Sequence, residues 1–138
     1  MAYYAVIDTN VLVSALLSKH HDAATVLLVG RMISGDLIPV YSQETMREYR
    51  EVLARRKFNF DPVQIAYIIS AIAHFGIMIE PTPTGTILPD MKDLPFYEVV
   101  MEKRKDDDAY LVTGNQKHFP VKPFVVTAKE MLDILDNN

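Results

Sequence analysis

The stretch Tyr3-Tyr4-Ala5-Val6-Ile7-Asp8-Thr9-Asn10 decides the fold class of this chain. Its first five residues form a continuous apolar run of good β-formers, which is typical of a strand buried on both faces. Three polar residues follow at once, and a helical pattern over 10–18 comes directly after them. A buried strand that passes straight into a helix predicts a parallel sheet covered by helices.

The rest of the chain repeats this alternation of short apolar runs and helical patterns. Further strands are predicted at Leu37–Tyr41, Ile77–Ile79, Ala109–Thr113 and Phe124–Val126. Helices are predicted over 10–18, 22–33, 43–56, 62–75 and 94–104, and a last helix begins after Thr127. We therefore predict a single α/β domain over residues 1–138, a three-layer fold whose central parallel sheet of four to five strands is flanked by helices.

Composition narrows the functional classes. The 138 residues include no cysteine, which excludes a disulfide framework, a zinc–thiolate site and a cysteine nucleophile. We expect a cytoplasmic protein, because the chain shows no basic signal-like start and no cysteine that would call for an oxidising compartment. Residues 62–79 carry no formal charge, but Gln64, Ser70 and His74 interrupt them, so we predict a buried helix and no membrane span.

Three carboxylates are predicted to lie at the carboxyl edge of the sheet, where ligand sites of such folds occur. Asp8 directly follows the first strand, Glu48 lies in the helix after the second strand, and Asp93 precedes the helix over 94–104. Each has a plainer explanation: Asp8 and Asp93 are placed to cap helices, and Glu48 to be a solvated glutamate. The run Asp106-Asp107-Asp108 precedes a strand, so we assign it to a solvated turn at the opposite edge.

If these three carboxylates meet, their chemistry points to a cation. Neighbouring carboxylates repel one another and resist ionisation unless a positive charge offsets them. Carboxylate oxygens suit Mg²⁺ or Mn²⁺, which keep several waters and also bind phosphate oxygens.

The net charge of −4 does not indicate a nucleic-acid binder, so any contact with phosphate must be local. Residues 47–57 hold five basic residues against two glutamates, and Arg47 and Arg50 are our candidates for RNA contacts. Lys117 and the adjacent His118 are further candidates for phosphate contact. The alternative is that these side chains, His118 included, are ordinary surface residues.

Four blocks of the sequence resemble PIN domains in the order in which that family carries them. Val6-Ile7-Asp8-Thr9-Asn10-Val11-Leu12 resembles the opening block, and Glu48-Tyr49 with Arg55-Arg56-Lys57-Phe58 resembles the second block of a subgroup described as toxins. Asp93-Leu94-Pro95-Phe96 and Tyr110-Leu111-Val112-Thr113-Gly114 resemble the third and fourth blocks.

The resemblance implies a Mg²⁺- or Mn²⁺-dependent endoribonuclease, often the toxin of a toxin–antitoxin pair. It implies that Asp8, Glu48 and Asp93 are the catalytic metal ligands, supported by Thr9 or Asn10 and by Thr113.

One position departs from the family pattern. Many PIN domains have a fourth acid where this chain has Asn115, and an amide brings no charge. A catalytically weak or inactive PIN-like module that binds RNA or a partner protein is therefore the alternative function.

The helix over 62–75 is apolar on nearly every side, which one domain seldom hides completely. We expect it to contribute to a homodimer or to an antitoxin site.

Overall fold

A computed structural model of the chain describes residues 2–137. It contains a five-stranded sheet flanked by six helices. The strands are β1 (Tyr3–Ile7), β2 (Leu37–Tyr41), β3 (Ile77–Met78), β4 (Ala109–Val112) and β5 (Val125–Val126). The helices are α1 (Thr9–Leu17), α2 (Ala24–Ser34), α3 (Gln43–Leu53), α4 (Pro62–Phe75), α5 (Leu94–Lys103) and α6 (Ala128–Asp136).

Strand β1 is the centre of the sheet. The strand order is β3-β2-β1-β4-β5 and every pairing is parallel. Ala5, Val6 and Ile7 are fully or almost fully buried, as expected of a strand covered on both faces. Helix α5 packs across β4, β1 and β2, and α2 packs on β2 and against α1 and α6. The predicted α/β fold with a parallel sheet is thus confirmed.

Polar side chains mark the start of two helices, and a glycine marks the end of a third. Ser42 and Thr127 each form a capping box with the residue three positions later, Thr45 and Glu130 respectively. Gly35 ends α2 in the left-handed conformation, with φ at 90°. No helix within residues 2–137 is long and apolar enough to span a membrane.

Helix α3 is shorter than the predicted range 43–56. It ends at Leu53, and the chain continues in tight turns in which Phe58 donates to the carbonyl of Arg55 and Asn59 to that of Arg56. The basic residues 55–57 therefore lie beyond α3 and not on one of its faces.

Smaller differences occur elsewhere. Ile79, Thr113 and Phe124 fall just outside the strands, although the backbone amide of Thr113 still donates to the carbonyl of Val126. The acidic run 106–108 lies between α5 and β4, and Asp107 forms an ion pair with Lys103 at 2.8 Å.

Gly76 brings the end of α4 close to β2. Its amide donates to the carbonyl of Ile72, and a Cβ at this position would lie only 2.6 Å from the carbonyl oxygen of Pro39. A side chain of any size would therefore push α4 and β2 apart.

We expect Gly76→Ala to lower the free energy of unfolding by about 1–3 kcal/mol, because the added methyl group overpacks a backbone contact. Gly30→Ala is the matched control. Gly30 lies inside α2 with open space around its Cα, so alanine should stabilise the fold by up to about 1 kcal/mol. Urea unfolding of both variants measures the difference, and equal stabilities would contradict the packing argument.

Candidate active site at the carboxyl edge of the sheet

Asp8 is buried at the end of the central strand, with 4% of its surface exposed. Its Oδ2 accepts hydrogen bonds from the Thr113 hydroxyl at 2.8 Å and from the Asn10 amide at 3.2 Å. Asp8 occupies the N-cap position of α1, but its side chain makes no capping bond. The capping interpretation is therefore wrong, and the carboxylate is held by side chains instead.

The polar residues that follow β1 and β4 form one connected network around Asp8. The Thr113 hydroxyl accepts from the backbone amide of Asn115 at 3.0 Å. The Asn10 side-chain oxygen accepts from the backbone amide of Gly114 at 3.1 Å. These bonds tie the loop after β4 to the start of α1 and orient the two donors of Asp8.

Glu48 faces the same edge from α3. Its Oε2 accepts a hydrogen bond from the Thr9 hydroxyl at 2.8 Å, and Thr9 itself is buried. Thr9 is therefore a hydrogen-bond donor to Glu48, whereas Asn10 and Thr113 are hydrogen-bond donors to Asp8. Glu48 is not the freely solvated glutamate of the alternative interpretation.

Tyr49 fixes the position of Glu48, a role that the sequence alone does not reveal. Its side chain is fully buried, and its hydroxyl donates to the carbonyl of Ile7, the residue before Asp8. Pairing of β1 with β2 stops at Ala5, so this carbonyl lies beyond that ladder. The Tyr49 ring also packs on Phe96 of α5, with ring centroids 5.8 Å apart.

Asp93 ends a short 3-10 turn, Met91–Asp93, that leads into α5. Its backbone is helical and its side chain makes no capping bond, so the capping interpretation is wrong here as well. Its Oδ2 lies 3.0 Å from Nδ1 of His118. The neighbouring Asp90 instead caps the 3-10 turn by accepting from the amide of Lys92.

His118 is therefore more than an ordinary surface histidine, as the contact with Asp93 shows. The two residues are 25 positions apart, and no spacing rule within a helix or strand relates them. The only sequence signal was that His118 closely follows the fourth block.

The three carboxylates interact electrostatically. The pKa of Asp8 is raised to about 6, chiefly by burial and also by the charges of Asp93 and Glu48, against the lowering effect of the Thr113 hydrogen bond. Burial also raises the pKa of Glu48, and the charge of Asp93 adds to that rise. The pKa of Asp93 is raised by burial and by Asp90, while the His118 hydrogen bond lowers it. The structure thus brings Asp8, Glu48 and Asp93 into one electrostatic cluster.

The chemistry of this cluster fits a hard divalent cation. All of its charged groups are oxygen donors, and each resists ionisation in a way that a nearby positive charge would relieve. Within residues 2–137, however, no three His, Asp or Glu side chains lie at the mutual spacing of a complete metal site. Mg²⁺ requires only one or two direct carboxylates and keeps several waters, so the donor set and this open spacing are compatible.

The candidate RNA-binding residues lie in three separate places. Arg47 lines a cleft of about 310 Å³ beside Glu48. Arg50 lines a larger depression of about 610 Å³ between α3 and α4. Lys117 lies with Lys122 in a third depression. Arg55 borders both the cleft of Arg47 and the depression of Arg50.

The raised pKa of Asp8 gives a stability prediction. An unfolded aspartate ionises near pH 4, whereas folded Asp8 keeps its proton to about pH 6, so the fold loses stability as pH rises through this window. Asp8→Asn removes this loss and keeps an oxygen that can accept from Thr113. In EDTA we expect the variant to be more stable than wild type by roughly 1–3 kcal/mol at pH 7.5, and equally stable near pH 4.

Denaturant unfolding at both pH values measures this difference, and added Mn²⁺ should narrow it at pH 7.5 by binding only the wild type. A variant that is less stable than wild type at pH 7.5 would contradict it.

Comparison with known proteins identifies the family. A family model described as PIN domain matches residues 4–117, which is most of the chain and includes Asp8, Glu48 and Asp93. Comparisons with curated proteins and with solved structures found no match. On the span of the family match and the parallel sheet that it covers, the chain belongs to the PIN domain family.

Proposed function

We propose that this protein is a Mg²⁺- or Mn²⁺-dependent endoribonuclease whose catalytic metal ligands are Asp8, Glu48 and Asp93. PIN domains are in general metal-dependent nucleases. The observation that carries the proposal is that these three carboxylates lie at the carboxyl edge of the sheet, each held there by a side-chain hydrogen bond. The charge of Asp93 also raises the pKa of the other two. When bound there, a divalent cation would supply an activated water and offset negative charge on the phosphoryl group.

The chain's own residues have distinct parts in this proposal. Thr113 and Asn10 hold the Asp8 carboxylate through Oδ2, and Thr9 holds that of Glu48. Asn115 lies where many PIN domains have a fourth acid, and its backbone amide orients the Thr113 hydroxyl. A site with three carboxylates is less negative than one with four, which favours one cation over two.

RNA would approach over the cationic residues near the site. Arg47 shares its cleft with Glu48, so we propose that it contacts a phosphate next to the scissile one. Arg50 and Lys117 line other depressions, and we propose that they contact more distant parts of the RNA. Such contacts raise affinity without reading sequence.

We propose that the biological role is that of a toxin restrained by an antitoxin protein, acting on RNA in the cytoplasm. Support for this role comes from the likeness of the Glu48-Tyr49 block to a toxin subgroup of PIN domains.

The alternative function is a weakly active or inactive PIN module that binds RNA or a partner protein. Two observations favour it: Asn115 brings no charge, and the carboxylates are not at the spacing of a complete metal site. It predicts RNA binding that survives both chelation and loss of Asp8.

A cleavage assay on mixed RNAs with Mn²⁺ separates the two functions. We expect wild type to cut and EDTA to stop it, and we expect Asp8→Asn and Asp93→Asn to lose activity by about 100-fold or more, because each removes charge from the cation site. Glu48→Gln should also lose activity. If wild type cuts nothing, or the variants cut equally well, the endonuclease proposal fails.

RNA binding measured in the Asp8→Asn background tests the cations separately from cleavage. Arg47→Gln should weaken binding more than Arg50→Gln does, because Arg47 lines the cleft beside Glu48 and Arg50 does not. Equal effects of the two variants would contradict the proposed contact between Arg47 and a phosphate next to the scissile one.

We also propose that the protein forms a homodimer through the outer face of α4. Val63 and Tyr67 are 75% and 60% exposed, and they border an apolar groove of about 350 Å³ that α4 shares with α1 and α2. The inner face of the helix is buried, so only this outer strip remains for a partner.

Sedimentation at micromolar concentration should show a dimer for wild type and a monomer for Val63→Lys with Tyr67→Lys. Ile87→Lys is the control, because Ile87 is 81% exposed but lies outside the groove. A monomeric wild type would contradict the dimer and leave the outer face of α4 for the antitoxin.

A further inference from the structure

His118 supplies the side-chain hydrogen bond that the Asp93 carboxylate accepts. The distance from Nδ1 to Oδ2 is 3.0 Å, and the His118 side chain is 41% exposed while that of Asp93 is largely covered. His118 follows immediately after the last residue that the family model matches. The bond therefore involves a residue just outside the family match.

The backbone between β4 and β5 places His118 beside Asp93. After Asn115 the chain makes a 3-10 turn, in which the amide of His118 donates to the Asn115 carbonyl at 2.9 Å. The side chain of Gln116 anchors this turn by donating to the Val125 carbonyl at 3.1 Å. The same segment begins at Thr113, which bonds to Asp8. One short segment thus contacts Asp8 at its start and Asp93 at its end.

Packing on the other side holds Asp93 against this turn. Phe119, next to His118, is buried and stacks on Tyr97 of α5 with ring centroids 6.5 Å apart. Tyr97 is four residues after Asp93 and so lies on the same side of the chain as it enters α5. The Asp93–His118 bond is therefore backed by an aromatic contact and does not depend on two free surface side chains.

We propose that His118 is a positioning residue, which fixes the orientation of the Asp93 carboxylate toward a divalent cation through its Nδ1 hydrogen bond. This inference rests on the proposed function, since it assigns Asp93 to the cation site. A hydrogen bond on Oδ2 limits rotation of the carboxylate and leaves Oδ1 free to face a cation. Partners of this kind, which orient a metal ligand, typically change metal affinity by 10–100-fold when removed.

The decisive variant pair is His118→Ala and His118→Asn. Alanine removes the donor, whereas asparagine has an amide nitrogen attached to Cγ, in the same place along the side chain as Nδ1. Mn²⁺ affinity of the metal-stripped protein, followed by the electron paramagnetic resonance signal of free Mn²⁺, is the readout. We expect His118→Ala to bind Mn²⁺ about 10-fold or more weakly and His118→Asn to stay close to wild type.

His21→Ala is the matched control, because His21 is exposed between α1 and α2 and should not alter Mn²⁺ binding. If His118→Ala does not fold, His118→Gln replaces it, because its amide is one carbon farther out and should not reproduce the bond. Wild-type Mn²⁺ affinity in the variant without the donor would overturn the proposal. Equal weakening by His118→Asn would overturn it too, since the Nδ1 bond would not be the cause.

RNA cleavage by the same preparations separates this inference from the proposed function. Cleavage that EDTA stops, together with Mn²⁺ affinity that is indifferent to His118, would overturn the positioning role and keep the endonuclease. Mn²⁺ affinity that depends on His118, in a protein that cuts no RNA, would support the positioning role and overturn the endonuclease.

Discussion

The carboxylate of Asp8 is buried at the end of the central strand, and much of the neighbouring structure serves to hold it there. An ionised carboxylate in such a place loses its hydration, which is why its pKa rises to about 6. Hydrogen bonds from Thr113 and Asn10 offset part of that loss. The part of the desolvation cost that is not offset lowers the stability of the fold, as is common where a functional site is strained.

Tyr49 couples this buried charge to the rest of the sheet edge. Its hydroxyl satisfies the Ile7 carbonyl beyond the β1–β2 ladder, and its ring packs on Phe96 of α5. Because Tyr49 is adjacent to Glu48, these contacts also determine how far the Glu48 side chain extends toward the carboxyl edge of the sheet. Three elements that carry the three carboxylates are thereby fixed relative to one another through one buried ring.

The sequence was informative wherever topology alone decides a position. Parallel strands bring their carboxyl ends together, so Asp8, Glu48 and Asp93 could be assigned to one edge and the run 106–108 to the other. It was uninformative about side-chain direction. Asp8 and Asp93 occupy capping positions yet do not cap; their carboxylates contact Thr113, Asn10 and His118 instead. Arg47 and Arg50 are three residues apart on α3, yet they border different depressions because α4 packs beside Arg50.

Long-range polar partners were the hardest to foresee. The bond between Asp93 and His118 depends on a 3-10 turn and on the contact between Tyr97 and Phe119. Neither of these features produces a repeating pattern of residues in the sequence. The capping box of Thr127 with Glu130, by contrast, is local, and its three-residue spacing is visible in the sequence. Local interactions were predictable here, and interactions that require the folded backbone were not.

The neutral Asn115 affects the charge that the proposed site would present to RNA. The chain carries a net charge of −4, so a fourth carboxylate at the site would add to the repulsion of a phosphate. With Asn115 in that place, the segment after β4 instead gives hydrogen-bond donors to the site, directly from Thr113 to Asp8 and from His118 to Asp93. These two hydrogen bonds oppose the rise in the pKa of Asp8 and of Asp93 without adding negative charge. In the proposed nuclease, three carboxylates in place of four carry less negative charge, which favours a single cation shared with the phosphate over a second cation held by protein alone.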